Sequence, residues 1–83
     1  GVGDVEGKLN DGVPKEIEAK NPGVKVNKDA ACPKDAKVKK GQKFDCTMTA
    51  DDNGKKATMT IHVSMTADDK FEWSFDPTTD LKE

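Results

Sequence analysis

Three stretches between Lys43 and Asp76 alternate apolar and polar residues with period two, and this pattern constrains the fold more than any other feature of the chain. In KFDCTMTA, Phe44, Cys46, Met48 and Ala50 alternate with Lys43, Asp45, Thr47 and Thr49. In ATMTIHVSMT, Ala57, Met59, Ile61, Val63 and Met65 alternate with Thr58, Thr60, His62, Ser64 and Thr66. In KFEWSFD, Phe71, Trp73 and Phe75 alternate with Lys70, Glu72, Ser74 and Asp76. Each stretch carries one apolar and one polar face, as in an antiparallel sheet packed on one side and wetted on the other. The connections are short. DDNGK contains Asn53–Gly54, the strongest short hairpin signal, and ADDK at 67–70 is equally turn-like. A meander of strands at about 43–50, 56–66 and 70–76 is predicted, with a fourth strand from VKVN at 24–27. The place of that fourth strand in the sheet is left open.

The same pattern disposes of a repeat. MTADD occurs at 48–52 and again at 65–69. Paired acids invite a metal site, but successive turns of a meander lie at opposite ends of the sheet. A middle strand of about ten residues holds the two pairs about 30 Å apart. Neither pair has the later ligands or the terminal glutamate of an EF-hand loop. Both repeats are expected to be strand ends running into turns, with no metal and no cofactor.

Upstream, Val2, Val5, Leu9, Val13 and Ile17 recur every three or four residues, the stripe of an amphipathic helix over about 2–20. Gly12 and Pro14 interrupt it, so a helix kinked near 11–14, or two short helices in tandem, is predicted. Asn21-Pro22-Gly23 ends it. The whole reads as one α+β domain over 1–83: an N-terminal kinked helix packed on a four-stranded antiparallel sheet, a cystatin-like helix-on-sheet arrangement. The stripe is expected to meet Met48, Met59, Ile61, Val63, Phe71, Trp73 and Phe75.

A chain of 83 residues has a marginal core, and such cores are often stapled. Cys32 and Cys46 are the only cysteines. They form no C-x-x-C motif, and with a single histidine elsewhere they are too few for a closed zinc site. A structural disulfide is the economical reading and implies an oxidising compartment. Two buried reduced thiols in a cytosolic protein are the alternative.

The stretch ACPKDAKVKKGQKFDCTMTADDNGKKATMTIHV resembles the core of an actinobacterial envelope domain family of unknown function, DUF4333. The resemblance rests on Cys32 and Pro33, Gly41, Phe44 shortly before Cys46 and Thr47, Gly54 in a turn, and the strand Thr58 to Val63. The family is usually secreted and often tethered through a lipidated cysteine upstream, so the resemblance implies a secreted or lipid-anchored, extracytoplasmic place at the cell envelope. It implies no activity and no catalytic residues.

Composition closes off other classes. All 14 basic residues are lysine and the net charge is −2. Without arginine there is no bidentate fork for phosphates or guanine edges, which argues against nucleic acid. No apolar run is long enough to cross a bilayer. His62, the only histidine, falls on the polar face near Ser64, with Glu72 or Ser74 as expected cross-strand neighbours. An open sheet face gives a Ser-His-acid arrangement no shelter, so no enzyme is expected.

Two surfaces are candidates for contact. One is the Thr-rich sheet face, Thr47, Thr49, Thr58, Thr60, His62 and Ser64. The other is the densest charge cluster, Lys34, Lys37, Lys39, Lys40 and Lys43, suited to an anionic surface. The expectation is a monomeric, non-enzymatic binding or interaction module of the envelope. Its expected partner is an envelope polymer, membrane headgroups or another envelope protein. The alternative is a small secreted protein inhibitor acting through a sheet-end hairpin loop.

Overall fold

The computed structural model describes residues 1–83. Helix α1 spans Val2–Lys20, followed by β1 (Val24–Val26), β2 (Lys43–Asp52), β3 (Lys55–Ala67), β4 (Lys70–Ser74) and β5 (Leu81–Lys82). The antiparallel sheet has the order β1-β2-β3-β4, and the short β5 pairs with β3 beyond the end of β4. Asn53 and Gly54 take the positive φ values, 53° and 90°, that a two-residue hairpin turn requires. That turn sets the β2–β3 register from Asp52↔Lys55 to Lys43↔Ser64.

The apolar faces meet as the alternation requires. Val5, Leu9, Val13 and Ile17 of α1 share one buried cluster with Val26, Cys32, Cys46, Met48, Ala50, Met59, Ile61, Val63 and Met65. Two expectations need correction. First, α1 runs unbroken through Pro14 and is not two helices. Proline removes only the hydrogen bond to residue 10, and Pro14 is buried beside Val13 of the stripe. Second, β4 ends at Ser74, not 76, because Asp76 opens a turn in which its carbonyl accepts from Thr79 and Asp80 N–H (3.1 and 2.7 Å). Phe71, Trp73 and Phe75 pack against the buried cluster, as expected, and are half-buried because they sit on and just past a short edge strand.

The free edge of β1 is closed by side chains of the helix. Glu6, Asn10, Pro14 and Glu18 form one row at four-residue spacing. Glu18 Oε2 accepts from Val26 N–H (2.9 Å), Asn10 Oδ1 from Ala30 N–H (2.9 Å) and Glu6 Oε2 from Cys32 N–H (2.8 Å). The other side of the same segment pairs with β2, through Asn27 N–H to Thr49 O and the two-way Ala31–Thr47 bridge, each 2.9 Å. Four helical residues advance about 6 Å and two strand residues about 6.8 Å, so the row and the strand stay nearly in step. Side chains thus take the hydrogen bonds that another strand would have taken.

Candidate functional site

The connection that carries the lysine cluster is fixed at both ends. Cys32 and Cys46 lie at disulfide distance, Cα to Cα 4.2 Å, with both residues buried. At the other end Gly41 N–H donates to Met65 O (2.9 Å) and Met65 N–H to Gln42 O (2.8 Å). Between these anchors Ala36 N–H closes a turn on Pro33 O, Gln42 N–H closes one on Lys39 O, and Lys40 N–H donates to Asp68 Oδ1 (2.9 Å). Val38 points inward against the core cluster.

Lys34, Lys37, Lys39, Lys40 and Lys43 are all exposed along this ridge. None has a carboxylate within 4.0 Å, so their charge is directed at solvent. The segment therefore concentrates five of the 14 lysines in ten residues, beside a single acid, Asp35.

A cleft of about 990 Å³ opens beside the ridge, between the first half of α1 and the β3–β4 turn. Val5, Val38, Met65 and Phe71 form its apolar part, and a Cβ on Gly3 or Gly7 would meet open space. Its rim mixes signs, with Asp4, Asp11, Asp68 and Asp69 against Lys8 and Lys28. The two acidic pairs of the MTADD repeat lie at opposite ends of β3, Asp51–Asp52 at its start and Asp68–Asp69 just past its finish.

On the polar face, His62 is an exposed strand histidine with Ser74 as its cross-strand neighbour, as expected, but its hydrogen bonds go to two acids. Its Nδ1 lies 2.7 Å from Asp45 Oδ1 on β2 and its Nε2 3.0 Å from Asp80 Oδ1 in the C-terminal turn. Ser74 is its strand neighbour without a hydrogen bond, and Glu72 faces Ser64. The two nitrogens point to opposite sides of the ring, so the two carboxylates cannot converge on one ion. With both nitrogens engaged by acids, none is directed at the Ser64 hydroxyl, and the arrangement does not activate a nucleophile.

Asp45 opposite His62 was legible in the sequence: a two-residue turn at Asn53–Gly54 pairs Asp52 with Lys55 and, counting back, Asp45 with His62. Asp80 was not, because it arrives through a turn with no strand pattern. Elsewhere on this face Thr49 is already engaged. Its hydroxyl bonds Asp29 and accepts from Asn27 Nδ2 (2.8 Å), leaving Thr47, Thr58 and Thr60 as a smaller hydroxyl row.

No helix is long and apolar enough to cross a membrane. A family model described as Domain of unknown function (DUF4333) matches residues 5–68. No curated protein and no solved structure matches the chain.

Proposed function

The chain belongs to the DUF4333 family, and on that premise we propose that it is a non-enzymatic, extracytoplasmic binding module that grips an anionic envelope surface through its lysine ridge. The single observation that carries this reading is the ridge itself: Lys34, Lys37, Lys39, Lys40 and Lys43, exposed, unpaired and held on a segment anchored at both ends. Anchoring matters because a pre-formed loop loses less conformational entropy on binding than a free one. The cysteine pair supports an oxidising, extracytoplasmic location, whether secreted or lipid-anchored at an actinobacterial envelope.

Vesicles of phosphatidylglycerol, compared with vesicles of phosphatidylcholine, test the reading. The protein is expected to sediment with the anionic vesicles only, and to come off as salt rises towards physiological strength. A triple substitution K37Q/K39Q/K40Q removes three charges worth about 1 kcal/mol each near an anionic surface, a loss of roughly a hundredfold in affinity. Equal binding by the triple variant, or binding indifferent to salt, overturns the reading. An anionic envelope polymer in place of the vesicles distinguishes the two sources of charge.

The alternative, a small secreted protein inhibitor acting through a sheet-end hairpin loop, is less well supported. The β2–β3 and β3–β4 turns carry Asp, Asn, Gly and Lys, and the protein has no exposed large hydrophobic side chain to serve as an anchor.

A further inference from the structure

We propose that the imidazolium of His62 is a proton-gated clasp: it fastens the segment 75–83 to the sheet and loosens it on losing its proton. The inference is independent of the lysine ridge. It rests on His62 Nδ1 and Nε2 each lying within hydrogen-bond distance of a carboxylate oxygen, at 2.7 and 3.0 Å. Neutral imidazole has one N–H and one lone pair, so it can serve only one carboxylate and repels the other. Only the doubly protonated ring donates to both. His62 therefore ties Asp45, in the body of the sheet, to Asp80, in the segment that returns to it.

Asp80 is the right residue to hold. Its Oδ2 accepts from Asp76 N–H (2.9 Å), its own N–H donates to Asp76 O (2.7 Å), and its carbonyl accepts from Thr60 N–H (2.9 Å). Fixing its side chain fixes the whole turn and sets β5 on β3, where Leu81 pairs with Met59 and Lys82 with Thr58. Apart from these bonds, the segment is held by half-buried Phe75 and Leu81 and one exposed ion pair, Lys55–Glu83 at 3.9 Å. So few contacts place it at the low-stability end of the molecule, where one ionic clasp is a large part of what holds it.

The charged groups around His62 are Asp45 opposite on β2, Lys43 diagonal on the same strand, Glu72 diagonal on β4, Asp80, and Asp76 through Asp80. Acids outnumber bases, and α1 lies on the other face of the sheet. The hydrogen bond to Asp80, then that to Asp45, raises the His62 pKa above its ordinary 6.5. The clasp's contribution is complete below 6.5 and is lost as pH rises through the higher value of the folded protein. On the acid side the Asp76 amide, then His62, holds the Asp80 pKa below 3.8. That contribution is present above 3.8 and is lost as pH falls through the lower value. The segment is thus fastened below the ordinary histidine value and loosens as pH rises through the raised value of His62. Loosening uncovers the β3 edge at 58–60, which β4 leaves unpaired.

The test is amide exchange by NMR from about pH 5.5 to about pH 9, corrected for intrinsic exchange, with the His62 ring titrated in the same samples. Protection of the Thr60 amide, bonded to Asp80 O, is expected to fall along the His62 titration, while the Thr47 amide, bonded to Ala31 O, does not change. The factor lost equals the ratio of the His62 acid constants in the loosened and fastened states. H62Q, at an exposed position, is expected to show the low Thr60 protection at every pH. Asp80→Asn is expected to lower the His62 pKa and flatten the pH dependence. Thr60 protection that stays constant through the His62 titration, or that matches wild type in H62Q at acid pH, overturns the proposal.

Discussion

Asn10, with its row mates Glu6 and Glu18, accepts backbone hydrogen bonds from the edge segment 26–32, which makes the helix's polar flank as structural as its apolar stripe. Asn10→Ala leaves the part-buried Ala30 N–H without its acceptor, at a cost of about 1–2 kcal/mol. Asp11→Ala, at the exposed neighbouring position, is expected to stay within about 0.5 kcal/mol of wild type. Urea unfolding of the two variants checks both values, and equal midpoints would show that the Asn10 bond is not structural. Periodicity revealed the stripe, because burial of a helix face is written in residue type. It did not reveal this flank, because Glu and Asn are ordinary solvent-facing helix residues until a strand edge lies beside them. His62 divides in the same way. The turn places Asp45 opposite it by counting, whereas Asp80 depends on a turn of Asp, Pro and Thr that carries no alternation.

Among the elements, the strands with strict alternation were legible to within two residues at their ends. The β2–β3 register follows from the Asn53–Gly54 turn, whereas a shift between Met65 and Ala67 offsets the β3–β4 register from what its turn alone would set. The short pieces were not legible. β5 is two residues long and exists because the Asp76–Asp80 turn delivers it to β3. Helix α1 was legible in extent, and of the two readings at Pro14 it takes the single helix, because a stripe that stays buried on both sides outweighs a local proline break. The connection 33–42 has no regular structure, and its order comes from the cysteine pair at one end and the Met65 pairing at the other. Closing a loop with a sequence separation of 14 contributes ~3 kcal/mol in the chain-entropy model. Reduction is therefore expected to lower the melting temperature by roughly 10–20 °C. A thermal scan with and without reductant checks this. An unchanged midpoint would mean that the β2–β3 hairpin and α1 hold the connection without the bridge.

For the molecule as a whole, helix and sheet use most of their apolar faces on each other, and what remains for partners is charge, hydroxyl and the small apolar part of the cleft. The total charge of −2 conceals a separation. The ridge is strongly positive, while the rim of the neighbouring cleft carries four carboxylates and two lysines. A partner that approached by net charge alone would not prefer the ridge, whereas one bearing dense negative charge would. The most direct measurement is a residue-resolved NMR map of line broadening as phosphatidylglycerol vesicles are added at low salt. The account predicts broadening that begins at residues 34–43, led by Lys37, Lys39 and Lys40, and that salt reverses. Broadening centred on Thr47, Thr58 and Thr60, or on the Asn53–Gly54 turn, with 34–43 unaffected, would contradict it.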